Sequence, residues 1–248
     1  MNGTIEGIRN RKSMRAFEPR AVDPALKEVL LDCAFQAPTA GNQMLYAVVD
    51  VTDEALKAEL AELCDHQPFI AQAPVVLVFL ADGHRWMQAY RAAGLSPRPL
   101  GAGDALLCAA DALIAAQNVV VAAESLGLGS CYIGDVLENR ERMKELLRIP
   151  DGAFPAAMLV LGWPTDRQKD RRKPARFERE YVVSENAYRE LTDAEIREMH
   201  RRQQEKGERI PQDFDAFAKA FCERKFESAF ARELNRSAEG YLEDFRKG

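Results

Sequence analysis

The chain has 248 residues, of which 47% are hydrophobic and 29% charged, and its formal net charge is −5. This length and composition are typical of a globular protein with one large or two small domains. The acidic balance argues against a nucleic-acid binder, because the positive field of such proteins is missing. The five scattered cysteines form no Cys-x-x-Cys pair and suit a reducing compartment, and no metal motif occurs. Without a signal-peptide pattern at the N-terminus, we expect a cytoplasmic protein.

Helix starts can be predicted from capping residues near the N-terminus. Residues 4–10 fit a short helix with Thr4 as its N-cap, and Asp23-Pro24 is a usual start for a second helix, which ends at Pro38.

Apolar strands and helices alternate further along the chain. The valine-rich run 73–82 predicts a central strand covered on both faces. The alternation over 23–163 by itself favours an α/β domain with one central sheet. The other predicted strands are 45–51, 130–134 and 154–163, and the predicted helices are 53–64, 83–94, 104–126 and 137–148. The most apolar helix, 104–126, carries acidic and amide residues, so a buried helix is favoured over a membrane span.

The composition changes near residue 190. Thr192 and Glu195 have the spacing of a capping box, and the remainder to Gly248 is charged and helical in pattern. We predict a domain over 1–191 and a helical extension over 192–248 that packs on the same domain or on a partner subunit. A loosely held tail is the alternative.

The segment Arg11-Lys12-Ser13-Met14-Arg15 has two interpretations. In a helix, Arg11 and Arg15 share a face and Ser13 points elsewhere. In an extended chain, Arg11, Ser13 and Arg15 point to one side. Lys12 and Met14 then point to the other. Two guanidinium groups and a hydroxyl on one side would suit an anionic ligand, whereas a solvated surface patch is the alternative.

Three further segments are candidates for binding. The loop “APTAGNQ” (37–43) offers a hydroxyl and two side-chain amides, although these are also ordinary turn residues. The glycines of “LGLGSCYIGD” follow a helix instead of a strand, so a Rossmann fingerprint is disfavoured. The basic run “RQKDRRKPARFERE” (167–180) follows a strand end, where α/β sheets place ligands, but it could equally be a solvated loop.

Together, and in this order, these segments resemble the FMN-dependent nitroreductase family. The likeness is greatest to the branch with oxygen-insensitive nitroreductases and NADPH–flavin oxidoreductases, and covers roughly residues 5–191. The segments that carry it are “RNRKSMRAF”, “APTAGNQ”, “HQPFIAQAPVVLVF”, “DALLCAADALIAAQNVVVAAESLGLGSCYIGD”, “LVLGWP”, “KPARF” and “ENAYREL”.

The resemblance implies an α+β fold with a central mixed sheet flanked by helices, and here a C-terminal helical extension. It also implies an obligate homodimer with two FMN sites at the subunit interface. Helix 104–126 would lie in the dimer core, and FMN binding would be thermodynamically linked to dimer formation.

Residues of the phosphate site are implied position by position. Arg11 and Ser13 match residues that hold the FMN phosphate, as do Lys173 and Arg176. The family's Lys-Pro-Arg is interrupted by an inserted alanine here, so the register is uncertain by one residue and Arg172 competes.

Other matched residues face the ribityl chain and the ring. Arg15 would reach the ribityl chain or the pyrimidine edge, and Gln67 would contact that edge. The backbone of Ile133 and Gly134 would lie against flavin N5.

A loop from the partner chain would complete the site. Thr39, Asn42 and Gln43 match the residues that contact the ribityl chain and ring. The family's frequent second hydroxyl is Ala40 here, so one polar contact is missing.

The implied reaction is a two-electron ping-pong cycle in which NADPH or NADH delivers hydride to flavin N5 and an electron-poor small molecule, such as a nitroaromatic or a quinone, accepts the electrons. No side chain is expected as an obligatory acid or nucleophile; Arg15 and the backbone of Gly134 would assist hydride transfer. Basic residues in 167–176 favour NADPH over NADH as the electron donor.

The alternatives are a flavin reductase or reductive dehalogenase on the same fold, or a non-catalytic flavin-binding module. No metal, nucleic-acid or membrane partner is expected.

Overall fold

A four-stranded antiparallel sheet is the centre of this computed structural model, which describes residues 2–208 and 212–248. Its strands are β1 (Tyr46–Asp50), β2 (Val75–Asp82), β3 (Gly129–Ile133) and β4 (Ala153–Gly162), in the order β1-β2-β4-β3. The helices are α1 (Gly3–Asn10), α2 (Pro24–Phe35), α3 (Glu54–Leu63), α4 (Pro68–Ala71), α5 (His84–Ala92), α6 (Ala102–Ser125), α7 (Arg140–Leu147), α8 (Asp166–Asp170), α9 (Asp193–Lys206), α10 (Phe214–Lys225) and α11 (Ala229–Phe245).

The expected α+β fold with a central sheet flanked by helices is confirmed. All three strand pairs are antiparallel, and the parallel contribution is a single bridge between Ser13 and Ser130. The alternation of helices and strands favours an α/β domain on local grounds, and the resemblance implies a mixed sheet, but the strand pairs of this sheet are antiparallel. The intervening helices thus return the chain to antiparallel neighbours.

Helix caps were predicted with one error. Asp23 caps α2 by accepting from the Ala25 N–H at 2.8 Å, as expected. α1 begins one residue earlier than the predicted range 4–10, and its cap is Asn2, two residues before Thr4; the Asn2 side chain accepts from the Ile5 N–H at 3.1 Å. Asn and Thr are both good caps. With Asn2 as the cap, Thr4 lies inside the first turn of the helix.

The sheet is covered on both faces. β2 is buried along its whole length, as predicted, because its alternate side chains enter two different cores. On one face, Val76 and Val78 pack with residues of α3, α4 and α7. On the other face, Leu77 and Phe79 pack with α2 and with the alanine- and valine-rich side of α6.

Helix α6 is long and apolar enough, by length and composition, to span a membrane, a test that core helices of soluble proteins also pass. It carries Asp111, which is 4% exposed and hydrogen-bonded to a neighbouring loop. One side of α6 packs on the sheet, while Leu106 and Leu107 on the helix are 73% and 51% exposed. The helix thus exposes large apolar side chains in this single chain.

The chain divides into two compact units. The first contains the residues up to Arg171 together with Glu233–Gly248, and the second is Arg172–Arg232. This division differs from the predicted boundary at 191/192, because the last residues are part of the main core. Phe245 is fully buried, with its ring centroid 5.5 Å from that of Phe154. The Asp244 carboxylate accepts from Arg140 at 2.7 Å.

The second unit is helical. The predicted capping box is present at the start of α9, where Glu195 accepts from the Thr192 N–H at 2.8 Å. The rings of three phenylalanines surround His200, and burial lowers the pKa of that imidazole. The predicted helical pattern of the extension also covers 209–211, which lie outside the described residues.

Candidate functional site

The N-terminal segment that follows α1 is extended, so the extended interpretation is confirmed. The Met14 N–H donates to the Ser130 carbonyl at 2.9 Å, and Ser13 forms the parallel bridge to the end strand β3. Four residues later, Phe17 forms a bridge to Pro164, just after β4. The segment therefore runs across the ends of two neighbouring strands.

The close approach of this segment depends on a glycine. Met14 is buried against Gly129, where an added Cβ would lie 2.5 Å from the methionine Cγ. Since side chains alternate in an extended chain, burial of Met14 turns Ser13 and Arg15 to the opposite side. This packing fixes which side chains of the segment face outward.

A basic cluster surrounds the thiol of Cys131 on β3. Burial raises the pKa of this thiol. The positive charges of Arg15, Arg11 and Arg171 oppose this effect and lower the pKa, as does a hydrogen bond with Ser13. Because Coulomb effects weaken with distance, each of these charges lies within electrostatic range of the thiol. We define the basic cluster as Arg11, Ser13, Arg15 and Arg171.

Sequence reasoning missed Arg171. Its guanidinium donates to the Ser13 carbonyl, and the Lys12 ammonium donates to the carbonyls of Lys169 and Arg171. The basic run was recognised, but nothing in its pattern shows which arginine the N-terminal segment contacts. Lys12 therefore ties the N-terminal segment to the basic run.

Arg11 has an unpaired buried group. Its Nη1 is buried and has no hydrogen-bond partner among the described residues, and Arg11 also lines a cavity of about 460 Å³ whose walls include α1 and α6. A buried N–H group without a partner is costly, so such groups are rare in folded proteins. An anionic phosphate oxygen is the type of group that satisfies a guanidinium best. The basic cluster therefore fits the phosphate of FMN.

The loop before β1 is held by a buried carboxylate. Asp111 accepts from the Thr39 hydroxyl, from the Ala40 N–H at 3.1 Å and from the Leu45 N–H at 3.2 Å. The Thr39 oxygen also accepts from the Met44 N–H at 2.8 Å. The only hydroxyl proton of Thr39 is thus already used within the chain, and its predicted contact with flavin stays a prediction that requires it to act as an acceptor.

The two amide residues of this loop remain accessible to different degrees. Gly41 and Asn42 both have φ of +58°, a conformation that glycine and asparagine adopt most readily. Asn42 is exposed and Gln43 half-buried, and the Gln43 carbonyl accepts from the Trp86 ring N–H at 2.9 Å. Their predicted contacts would be made to the partner's flavin and stay predictions.

Gln67 and the end of β3 lie together. The Gln67 amide donates to the Asp135 carboxylate at 2.9 Å. Asp135 follows Ile133 and Gly134 directly in the sequence. Gly134 is exposed, and an added Cβ there would meet no atom within 4 Å. This open backbone is compatible with a flat ligand close to Gly134. Strand residues rise about 3.3 Å each, so Gly134 lies about 10 Å along the chain from Cys131. β3 therefore joins a basic end to a polar, open end.

Lys173 and Arg176 belong to the second unit. Lys173 is half-buried and lines a cavity of about 360 Å³ with Arg172 and Gly207, and Arg176 is exposed. The competing residue Arg172 is paired with Glu208 at 2.5 Å and donates to the Lys206 carbonyl. The choice among these residues as phosphate contacts stays a prediction. In residues 2–208 and 212–248, no group of three or more potential metal ligands is clustered.

Comparisons with known proteins identify the family of this chain. The model of the nitroreductase family matches residues 8–163. The oxygen-insensitive NADPH nitroreductase of Salmonella typhimurium is 36% identical over 193 residues, covering 78% of each chain. An FMN reductase (NADPH) of Bacillus subtilis is 33% identical over 195 residues, covering 78% of this chain and 77% of the relative.

A solved structure extends the likeness to nearly the whole chain. The NADPH:FMN oxidoreductase of Vibrio harveyi, complexed with NAD+, superposes with a TM-score of 0.80 at 26% identity, covering 97% of this chain and 98% of that one. The match of the family model over most of the chain, together with these relatives, shows that the chain belongs to the nitroreductase family.

Proposed function

We propose that this chain is an FMN-dependent oxidoreductase that takes electrons from NAD(P)H and delivers them to nitroaromatics, quinones or similar electron-poor molecules. The observation that carries the proposal is the basic cluster, with its unpaired buried Arg11 group, near the start of β3, the strand that leads to Gly134. Family membership and the names of the relatives, NADPH nitroreductase and FMN reductase, support it.

The cofactor would be held at two ends. Arg11, Ser13 and Arg171 would bind the phosphate through charge-assisted hydrogen bonds, with Lys173 and Arg176 as further candidates. When bound, FMN supplies the redox chemistry, accepting hydride at N5 and passing two electrons to the acceptor. Arg15 would favour reduction by placing positive charge near the ring, and the backbone of Gly134 would face N5.

We propose that the active form is a homodimer located in the cytoplasm. The apolar side of α6 is exposed in the single chain, and Ile8 of α1 and Phe35 of α2 are also exposed. Exposed apolar side chains of this number are typical of an interface. The free cysteines suit a reducing compartment. In such a dimer, Thr39, Asn42 and Gln43 would contact the partner's FMN.

Two properties of the substrates are part of the proposal. NADPH is proposed as the preferred donor, because both relatives described above are named for it. Reduction of free flavin is a second candidate activity, because one relative is named an FMN reductase. Both activities would use the same site, since free flavin is itself a flat, electron-poor acceptor.

Anaerobic reduction of the purified holoprotein tests the proposal. The protein should be yellow with about one FMN per chain, and the colour should bleach on addition of NADPH faster than on addition of NADH. Arg15→Ala should lower FMN content or slow the bleaching. A yellow protein that never bleaches would mean a flavin-binding module without turnover. A colourless protein that cannot be loaded with FMN would contradict the proposal altogether.

A further inference from the structure

The Gln67 side-chain amide is held by two acceptors. Its Nε2 donates to the Cys64 carbonyl at 2.7 Å and to the Asp135 carboxylate at 2.9 Å. A primary amide has two N–H donors and one acceptor oxygen, so both donors are used and Oε1 is left. A carbonyl can only accept, so turning the amide round would lose the bond to Cys64. Gln67 therefore offers an acceptor and no donor.

Asp135 lies beside other carboxylates. It is half-buried in the turn that follows β3, close to the side chain of Glu138, which is 6% exposed. Burial and then the nearby carboxylates of Asp135, Asp65 and Glu233 raise the pKa of Glu138 to about 7.

We propose that Asp135 is a positioning residue for flavin recognition, holding the Gln67 amide so that only its Oε1 faces the ring. This inference rests on the proposed FMN function. The pyrimidine edge of a flavin presents a C2 carbonyl, an N3–H and a C4 carbonyl, so its single donor is N3–H. A freely rotating amide could pair with any of the three. The amide fixed by Asp135 can accept from N3–H alone.

The test compares FMN with N3-methyl-FMN, which lacks the N3–H donor. Each flavin is titrated into flavin-free wild-type dimer and into variants, and binding is followed by flavin fluorescence. Wild type should bind FMN about tenfold more tightly than the methylated flavin, the effect of one lost hydrogen bond. In Asp135→Ala, the freed amide can turn toward a carbonyl or move aside, so the preference should fall to about threefold or less.

Two variants serve as controls. Asp135→Asn keeps an acceptor oxygen for the Gln67 amide and should retain the preference for FMN. If the negative charge of Asp135 were what matters, this variant would lose the preference as well. Asp65→Asn removes another carboxylate that faces Glu138 but lies outside the two hydrogen bonds of the Gln67 amide. Its preference should match wild type. Asparagine also suits the positive φ of +61° at this position.

Each remaining outcome is decisive. An unchanged preference in Asp135→Ala, or an equal loss in Asp65→Asn, would overturn the positioning role. If Asp135→Ala does not fold, Asp135→Ser, whose hydroxyl is too short to reach the amide, replaces it with the same expectation. Wild-type protein that binds both flavins equally would overturn this inference but not the proposed function, whereas wild-type protein that binds neither would overturn both.

Discussion

Arginines of the basic cluster differ from those of α9 in what they contact. Arg201 and Arg202 of α9 are each paired with two or more glutamates, including Glu198. In the basic cluster, Arg11 keeps a buried group without a partner and Arg171 donates to a backbone carbonyl. Charges that are already neutralised stabilise their own helix, whereas a guanidinium with an unpaired buried N–H group is available to an anion. The groups that an arginine contacts therefore distinguish a helix-stabilising arginine from an anion-binding one better than the number of charges nearby.

The largest expected effect is on Arg11. Arg11→Ala should weaken FMN binding about 10- to 100-fold, because a charge-assisted hydrogen bond contributes about 1.5–3 kcal/mol. Fluorescence titration of the flavin-free protein measures this. Arg201→Ala is the matched control, since its guanidinium is already paired with two glutamates, and should leave FMN affinity unchanged. Equal losses in both variants would contradict the distinction between the two groups of arginines.

A smaller effect is expected at Arg171. Arg171→Ala should weaken FMN binding about 3- to 10-fold, because it removes one positive charge and loosens the N-terminal segment. Raising the salt concentration should shrink this difference, since screening reduces the charge contribution. A loss that does not change with salt would mean that Arg171 acts only through its bond to Ser13.

The carboxylates near Gln67 predict a pH effect on stability. The pKa of Glu138 is raised from 4.5 to about 7, first by burial and then by Asp135, Asp65 and Glu233. The folded chain then holds a proton that the unfolded chain has lost, so stability falls as pH rises from about 4.5 to about 7. Urea unfolding of Glu138→Gln should show a weaker pH dependence over this range. An identical dependence in the variant would assign it to other groups.

The smallest effect is expected at Arg202. Arg202→Ala should leave FMN affinity unchanged and lower the thermal unfolding midpoint only slightly, because exposed ion pairs contribute little individually. Its pairs with Glu178 and Glu180 lie entirely in the second unit. A loss of FMN comparable to that of Arg11→Ala would show that paired arginines also serve the cofactor.

Much of the fold was predictable because local patterns agree with the tertiary structure. The continuous apolar run of β2, the Asp23 cap and the alternation around Met14 each depend on neighbouring residues in the sequence. The same local information led to Thr4 instead of Asn2 as the first cap, since both residues cap helices well.

The site was predictable only in part, because several of its groups are defined by contacts between distant segments. Arg171 meets Ser13 across 158 positions of sequence separation, and the Gln67–Asp135 bond spans 68. Asp111 looked only like a charge on an apolar helix, yet it holds the loop before β1. Residue type alone does not reveal such pairs.

The contact between Met14 and Gly129 limits the combined size of the side chains at these two positions. An alanine at 129 would place a methyl group 2.5 Å from the methionine Cγ and 2.9 Å from its Cβ. Because Gly129 is held by its pairing with β4, it cannot move away from Met14. The N-terminal segment would therefore have to move away from β3. A small residue at position 14 would remove this conflict. Positions 14 and 129 should consequently vary together in functional relatives, with any gain in size at one matched by a reduction at the other.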